Sequence, residues 1–212
     1  MNTSDLFLYA VTERSCIKND LSLAEAVELA LKGGVTMVQL REKELGFDEF
    51  VSSAREIKEL CRKYRVPLII NDNIDVCLAV DADGVHLGQG DTPLKEARER
   101  LGADKIIGVT AKTIEQAQAA ERDGADYLGS GDIFGTSTKV NTARITKIQL
   151  REICASVSIP VVAIGGIRKA NIARLTGTGI AGIAVASGIF GAKDIYDTTM
   201  DLGTRLKGAM RR

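Results

Sequence analysis

Short apolar runs alternate with longer amphipathic segments eight times along the 212-residue chain. The apolar runs are Leu6–Val11, Thr36–Leu40, Leu68–Asn71, Gly84–Leu87, Lys105–Val109, Tyr127–Gly129, Val161–Ile164 and Gly182–Ala186. Runs of this length, rich in Ile and Val, predict strands buried on both faces. Between them the spacing predicts helices. Ser22 followed three residues on by Glu25 has the form of a capping box and opens a helix over Leu23–Lys32. Phe47–Tyr64 places Phe50, Val51, Ala54, Ile57, Lys58 and Cys61 near one helical face. Thr92-Pro93 reads as an N-cap followed by proline at the first helical position, opening Leu94–Leu101. Ile74–Val80, Ile114–Arg122, Ile148–Ser156, Lys169–Thr176 and Asp194–Met210 complete the set. Gly33-Gly34, Gly102, Gly124 and Gly177/Gly179 stand where helices should stop. Eight strand–helix units without a linker predict one α/β domain over residues 1–212, a (β/α)8 TIM barrel. An open doubly wound sheet is the alternative, but Thr12-Glu13-Arg14 follows the first strand where a glycine fingerprint would be needed.

Charge removes several function classes. Lys+Arg and Asp+Glu both number 28, so the chain carries no net field to attract nucleic acid or an anionic membrane. It has no Trp to stack on bases. No apolar run approaches the roughly 18 residues of a membrane span. The N-terminus lacks a basic segment followed by an apolar stretch, and Cys16, Cys61, Cys77 and Cys154 form no CxxC. A cytoplasmic protein with reduced thiols is expected.

In such barrels chemistry gathers where strands run out. Pro67-Leu68-Ile69-Ile70 leads directly into Asn71 and Asp72. A carboxylate ending so apolar a strand needs a cation or donors close by. Asp91 ends the adjacent strand, and two such carboxylates suit Mg²⁺, which takes one or two of them along with waters and phosphate oxygens. A helix cap is the bland reading of Asp91. Arg41 and Lys43, two apart at the end of the second strand, project to one side and could meet one diphosphate. Gly165-Gly166 and Ala186-Ser187-Gly188 follow strands seven and eight, with a short helix at Ile189. Glycine turns in these two positions point to a phosphate pocket. Thr136-Ser137-Thr138-Lys139 adds three hydroxyls and an ammonium. His86, the sole histidine, lies inside the fourth strand and reads as a core or supporting residue more than a base. Lys112 and Lys139 are poor Schiff-base candidates, because neither sits inside an apolar strand.

Taken together, Gln39–Lys43, Asn71-Asp72, Gly84–Gln89 with Asp91, Thr136–Lys139, Gly165-Gly166 and Ala186-Ser187 resemble the thiamine phosphate synthase family, from Tyr9 to about Ile195. The resemblance implies an enzyme of thiamine biosynthesis: a Mg²⁺-dependent transferase joining hydroxymethylpyrimidine diphosphate to a thiazole phosphate. Pyrophosphate leaves and a pyrimidine methyl cation is trapped by the thiazole nitrogen. It further implies that Gln39, Leu40, Arg41, Glu42, Lys43, Asn71, Thr110 and Lys139 hold the pyrimidine diphosphate. Among these, Arg41, Lys43, Thr110 and Lys139 would act catalytically. Asp72 and Asp91 would ligate Mg²⁺, while Thr136, Ser137, Thr138, Gly166, Ala186 and Ser187 would take the thiazole phosphate. The partners implied are these small molecules, with neither nucleic acid nor membrane, and a homo-oligomer is compatible with them.

The chain departs from the family at Thr110-Ala111-Lys112, where Ser-x-His is usual, and at Asp132 and Gly135, where prolines are usual. The alternatives are a thiazole tautomerase-like isomerase and a non-catalytic thiamine-phosphate binding protein. The first leans on a histidine where Lys112 stands, and the second has no use for two carboxylates beside a phosphate.

Overall fold

The computed structural model describes residues 1–18, 20–135 and 144–211. Its strands are β1 (Leu8–Val11), β2 (Met37–Leu40), β3 (Leu68–Asn71), β4 (Gly84–Leu87), β5 (Ile106–Thr110), β6 (Tyr127–Ser130), β7 (Val161–Ile164) and β8 (Gly182–Val185). They pair in parallel in sequence order, and β8 closes on β1. The helices are α1 (Leu23–Lys32), α2 (Phe47–Tyr64), α3 (Ile74–Val80), α4 (Leu94–Leu101), α5 (Ile114–Arg122), α6 (Lys147–Ser156), α7 (Ser187–Phe190) and α8 (Ile195–Met210). The expected (β/α)8 barrel is therefore present. No helix among the described residues is long and apolar enough to cross a membrane.

Strand alternation divides the core in two. Val38, Leu40, Leu68, Ile70, Val85, Leu87, Ile107 and Val109 face the helices in the outer cluster. Tyr9, Val11, Met37, Ile69, Ile106, Tyr127, Val162 and Ala184 fill the barrel interior. Helix starts follow local capping chemistry. Ser22 accepts from the Glu25 N–H at 3.2 Å while the Ser22 N–H donates to Glu25 at 2.8 Å, and Thr146 with Gln149 repeats the box on α6. All four cysteines are free. Burial pushes the Cys61 thiol up to about 12 and the Cys77 thiol up to about 11.

Three expectations need correction. The first apolar run does not start a strand at Leu6: Thr3–Leu6 is a 3-10 helix, whose Leu6 carbonyl packs against Gly182 of β8. Pro93, with extended ψ of 139°, is itself the N-cap of α4, so Thr92 stands outside the helix. Lys169–Thr176 yields only the 3-10 helix Ile172–Leu175. There the Asn171 side chain accepts the Arg168 N–H at 2.9 Å and donates to the Gly166 carbonyl at 2.9 Å. Such a side chain competes with helical hydrogen bonds and ties the segment to the loop after β7.

Candidate active site

The inward phase of each strand, continued past its end, builds a cavity of about 280 Å³ at the C-terminal mouth of the barrel. Gln39, Arg41, Asn71, His86, Thr110 and Lys112 line one side of it. Gly129, Gly131, Asp132, Ile164–Gly166 and Ala186–Gly188 line the other.

The floor is polar but neutral. Gln39 Nε2 donates to the Tyr9 hydroxyl at 2.7 Å, and the Tyr9 and Tyr127 hydroxyls are 2.8 Å apart. The Tyr127 hydroxyl lies 3.1 Å from His86 Nδ1, and His86 Nε2 lies 3.0 Å from Thr110 Oγ1. The ring of Tyr127 has room because Gly108 lies opposite on β5; a Cβ there would fall 2.0 Å from Tyr127 Cζ. Burial holds both phenols far above their ordinary pKa, so each keeps its proton.

Charge gathers at the rim. Arg41 Nη1 meets Glu13 at 2.9 Å, with both side chains mostly buried (13% and 14% exposed). The Arg41 N–H donates to Thr12 Oγ1 at 2.8 Å, fixing the strand end. Arg41 Nε is buried without a partner among the described residues. A guanidinium N–H in that state is a donor waiting for an anion. Lys43 pairs with Asp72. Asp72 adopts φ of 63° in the turn between β3 and α3, a conformation that Asp tolerates better than most residues. Asp91 accepts the Gly88 N–H at 2.7 Å instead of capping α4. Its carboxyl is held above the usual range, first by partial burial and then by the neighbouring Asp72 carboxylate. The structure thus brings the two predicted metal ligands together. Among the described residues no group of three or more His, Cys, Asp or Glu gathers as a metal site. Two mutually repelling carboxylates fit Mg²⁺, which leaves other positions to water and substrate oxygens.

The opposite wall is glycine. Gly165 and Gly166 have φ of 102° and 63°, and a Cβ on Gly166 would fall 2.1 Å from the Gly135 carbonyl oxygen. Ser187 opens the short helix α7 beside them. Asp132 accepts the Gly135 N–H at 2.8 Å, bracing the loop after β6.

Gln39, Arg41, Asn71, Thr110, Gly166, Ala186 and Ser187 therefore converge on one cavity, whereas Lys43, Asp72 and Asp91 do not line it: Asp72, paired with Lys43, follows Asn71 in the chain, and Asp91 accepts the N–H of the lining residue Gly88. Leu40 does not join them: its side chain is fully buried toward the helices. Glu42 does not either, because it pairs with Arg14 at 2.7 Å. Thr136, Ser137, Thr138 and Lys139 lie outside the described residues. Sequence reasoning gave no role to Tyr9, Tyr127 or Glu13. The period-two phase shared by Tyr9 with Val11, and by Tyr127 with Gly129, is the signal that places both tyrosines inside the barrel.

Residues 8–189 match the family model for thiamine monophosphate synthase. The chain is 51% identical over 197 residues to a thiamine-phosphate synthase of Clostridium acetobutylicum, covering 93% of each. It is 53% identical over 200 residues to thiamine-phosphate synthase 2 of Streptococcus pneumoniae, covering 94% of each. Among solved structures, the thiamine phosphate pyrophosphorylase from Pyrococcus furiosus superposes with a TM-score of 0.89 at 39% identity over 98% of each chain.

Proposed function

The chain belongs to the thiamine monophosphate synthase family, and on that premise we propose how its cavity performs the transfer. Gln39, Asn71 and Thr110 on the neutral floor hold the pyrimidine. Arg41 and Lys43 at the rim, with Lys139, take the diphosphate. Gly166, Ala186 and Ser187, with Thr136, Ser137 and Thr138, take the thiazole phosphate, whose charge suits backbone N–H groups exposed by glycine. Asp72 and Asp91 hold Mg²⁺, which when bound neutralises charge on the leaving pyrophosphate.

The pyrimidine methylene C–O bond breaks with its electron pair leaving on pyrophosphate. The thiazole nitrogen then supplies a pair to the methylene carbon. Neither step needs a general base. The protein lowers the barrier by aligning the two rings and by placing cations where negative charge grows. Arg41 carries this reading, since its Nη1 is held by Glu13 while its buried Nε N–H meets no acceptor among the described residues.

Pyrophosphate release tests it. Release should require both substrates and Mg²⁺ and should nearly vanish in Asp72→Asn. Isomerisation of a thiazole phosphate without pyrophosphate release, or tight product binding without turnover, would refute it.

A further inference from the structure

Two unassigned phenols and the sole histidine bridge two residues given to pyrimidine binding. We infer that Tyr9, Tyr127 and His86 form a one-way hydrogen-bonded relay that couples the Gln39 amide to the Thr110 hydroxyl and sets the hydrogen-bond pattern the pyrimidine meets. The inference rests on the reading that Gln39 and Thr110 hold that ring.

The polarity follows from counting hydrogens. Gln39 Nε2 donates to Tyr9, so the single Tyr9 hydroxyl hydrogen goes on to Tyr127. Tyr127 must then donate to His86 Nδ1. A neutral imidazole with an accepting Nδ1 carries its hydrogen on Nε2 and gives it to Thr110 Oγ1. Thr110, already accepting, has its own hydrogen left for a ligand. Gln39, with one Nε2 hydrogen spent, has its carbonyl oxygen and its second Nε2 hydrogen left. The opposite polarity is self-consistent only with the amide turned over, and it would make Thr110 an acceptor and Gln39 a donor. Every link is buried or half-buried, and both phenols stay protonated, so no group inside the chain can change sides alone. Gly108 and Gly129 leave the space that keeps the Tyr127 and His86 rings in register.

The consequence is specificity. A donor at Thr110 and an acceptor at Gln39 match an aminopyrimidine, which offers a ring nitrogen and an amino hydrogen. The fixed Thr110 donor opposes an oxopyrimidine, in which a ring N–H replaces the accepting ring nitrogen, while Gln39, keeping a second N–H, discriminates less. Tyr9, Tyr127 and His86 are thus positioning residues, acting through Gln39 and Thr110.

His86 is the sole histidine, so ¹⁵N-histidine labelling reports one imidazole. At pH 8 the wild type should show the Nε2–H tautomer. In Gln39→Glu, followed upward in pH until the buried carboxyl ionises, the carboxylate can only accept, so every link should then reverse and the tautomer should become Nδ1–H. In the Tyr127→Phe background Gln39→Glu should leave the tautomer unmoved. In steady-state assays Tyr127→Phe should raise KM for the pyrimidine diphosphate about tenfold and lower selectivity against its oxo analogue about tenfold. KM for the thiazole phosphate should stay within about twofold, whereas loss of folded protein alone would lower the rate and spare both KM values. An Nδ1–H tautomer in the wild type, or none of these responses in either variant, overturns the relay. The expected tautomers without any turnover of the pyrimidine diphosphate would leave the relay standing but overturn its role in substrate recognition, and would locate the failure in the substrate reading.

Discussion

Gly108→Ala should be among the most damaging single-methyl additions this barrel can receive. The new Cβ would lie 2.0 Å from Cζ, 2.3 Å from Cε1 and 2.4 Å from the hydroxyl of Tyr127. Carbon atoms pack at about 3.5–4.0 Å, so the ring must retreat by roughly 1.5 Å. Tyr127 is fully buried and cannot swing into solvent. Its hydroxyl sits 2.8 Å from that of Tyr9 and 3.1 Å from His86 Nδ1. A retreat of that size carries at least one of these pairs beyond hydrogen-bond reach. Overpacking a filled core costs about 1–3 kcal/mol. Stranding a buried hydroxyl costs about 1–3 kcal/mol more. The sum, on the order of 2–5 kcal/mol, is a large share of the 5–15 kcal/mol typical of a folded domain.

Urea unfolding measures it directly. With a slope of about 1–3 kcal/mol per molar, the midpoint should fall by on the order of 1–2 M. Combining Gly108→Ala with Tyr127→Leu removes the clashing ring, so the pair should be less destabilised than the sum of the singles, by about 0.5–3 kcal/mol. A wild-type midpoint for Gly108→Ala, or strict additivity in the pair, would refute the claim that glycine is there to seat Tyr127.

Two further outcomes are expected. Glu13→Gln removes the carboxylate on Arg41, so the free protein should lose about 1–3 kcal/mol; in thermal unfolding, added pyrophosphate should raise Tm more in the variant than in the wild type, and equal increments would count against Arg41 as an anion site. Glu28 accepts from Lys63 at 2.6 Å, Tyr64 at 3.0 Å and Lys32 at 3.2 Å, which holds its carboxyl down to about 2. Because the folded value is depressed, its contribution is fully present above the unfolded value near 4.5 and is lost as pH falls through about 2. The Tm gap between wild type and Glu28→Gln should therefore shrink across that window, and a gap independent of pH would be inconsistent with this.

Elements set by local rules were legible in the chain. The run Leu68–Asn71 is a strand buried throughout, and the Ser22 box opens α1 where expected. The chain was harder to read where a local rule had a tertiary competitor. The cap reading of Asp91 does not hold, because its carboxylate accepts the Gly88 N–H beside Asp72. Lys169–Thr176 has helical spacing, but Asn171 diverts its own backbone toward Gly166. Leu40 belongs to a motif that otherwise serves the cavity, yet strand alternation turns it outward. Tyr9 and Tyr127 stand 118 positions apart, and nothing about either alone announces a shared hydrogen bond. That contact exists only because closing β8 on β1 brings opposite strands to face each other across a narrow interior.

The same closure explains why chemistry divides between floor and rim. A charge deep in the barrel would lose hydration that the few neighbouring groups cannot replace. The floor accordingly holds an amide, two phenols, an imidazole and a hydroxyl, joined to one another. Arg41, Lys43, Asp72 and Asp91 appear only where the strands end. A ligand with one neutral aromatic end and one anionic end is therefore oriented before any particular contact forms, its ring inward and its phosphates at the mouth. The bond joining the two ends then falls at the boundary between a low-dielectric interior, where ring contacts are directional, and a solvated edge of mixed charge where Arg41 and Lys43 stand with their carboxylate partners. On the proposed reading, a scissile C–O bond at that boundary would break with its negative charge moving toward Arg41 and Lys43 and its positive carbon held over neutral dipoles.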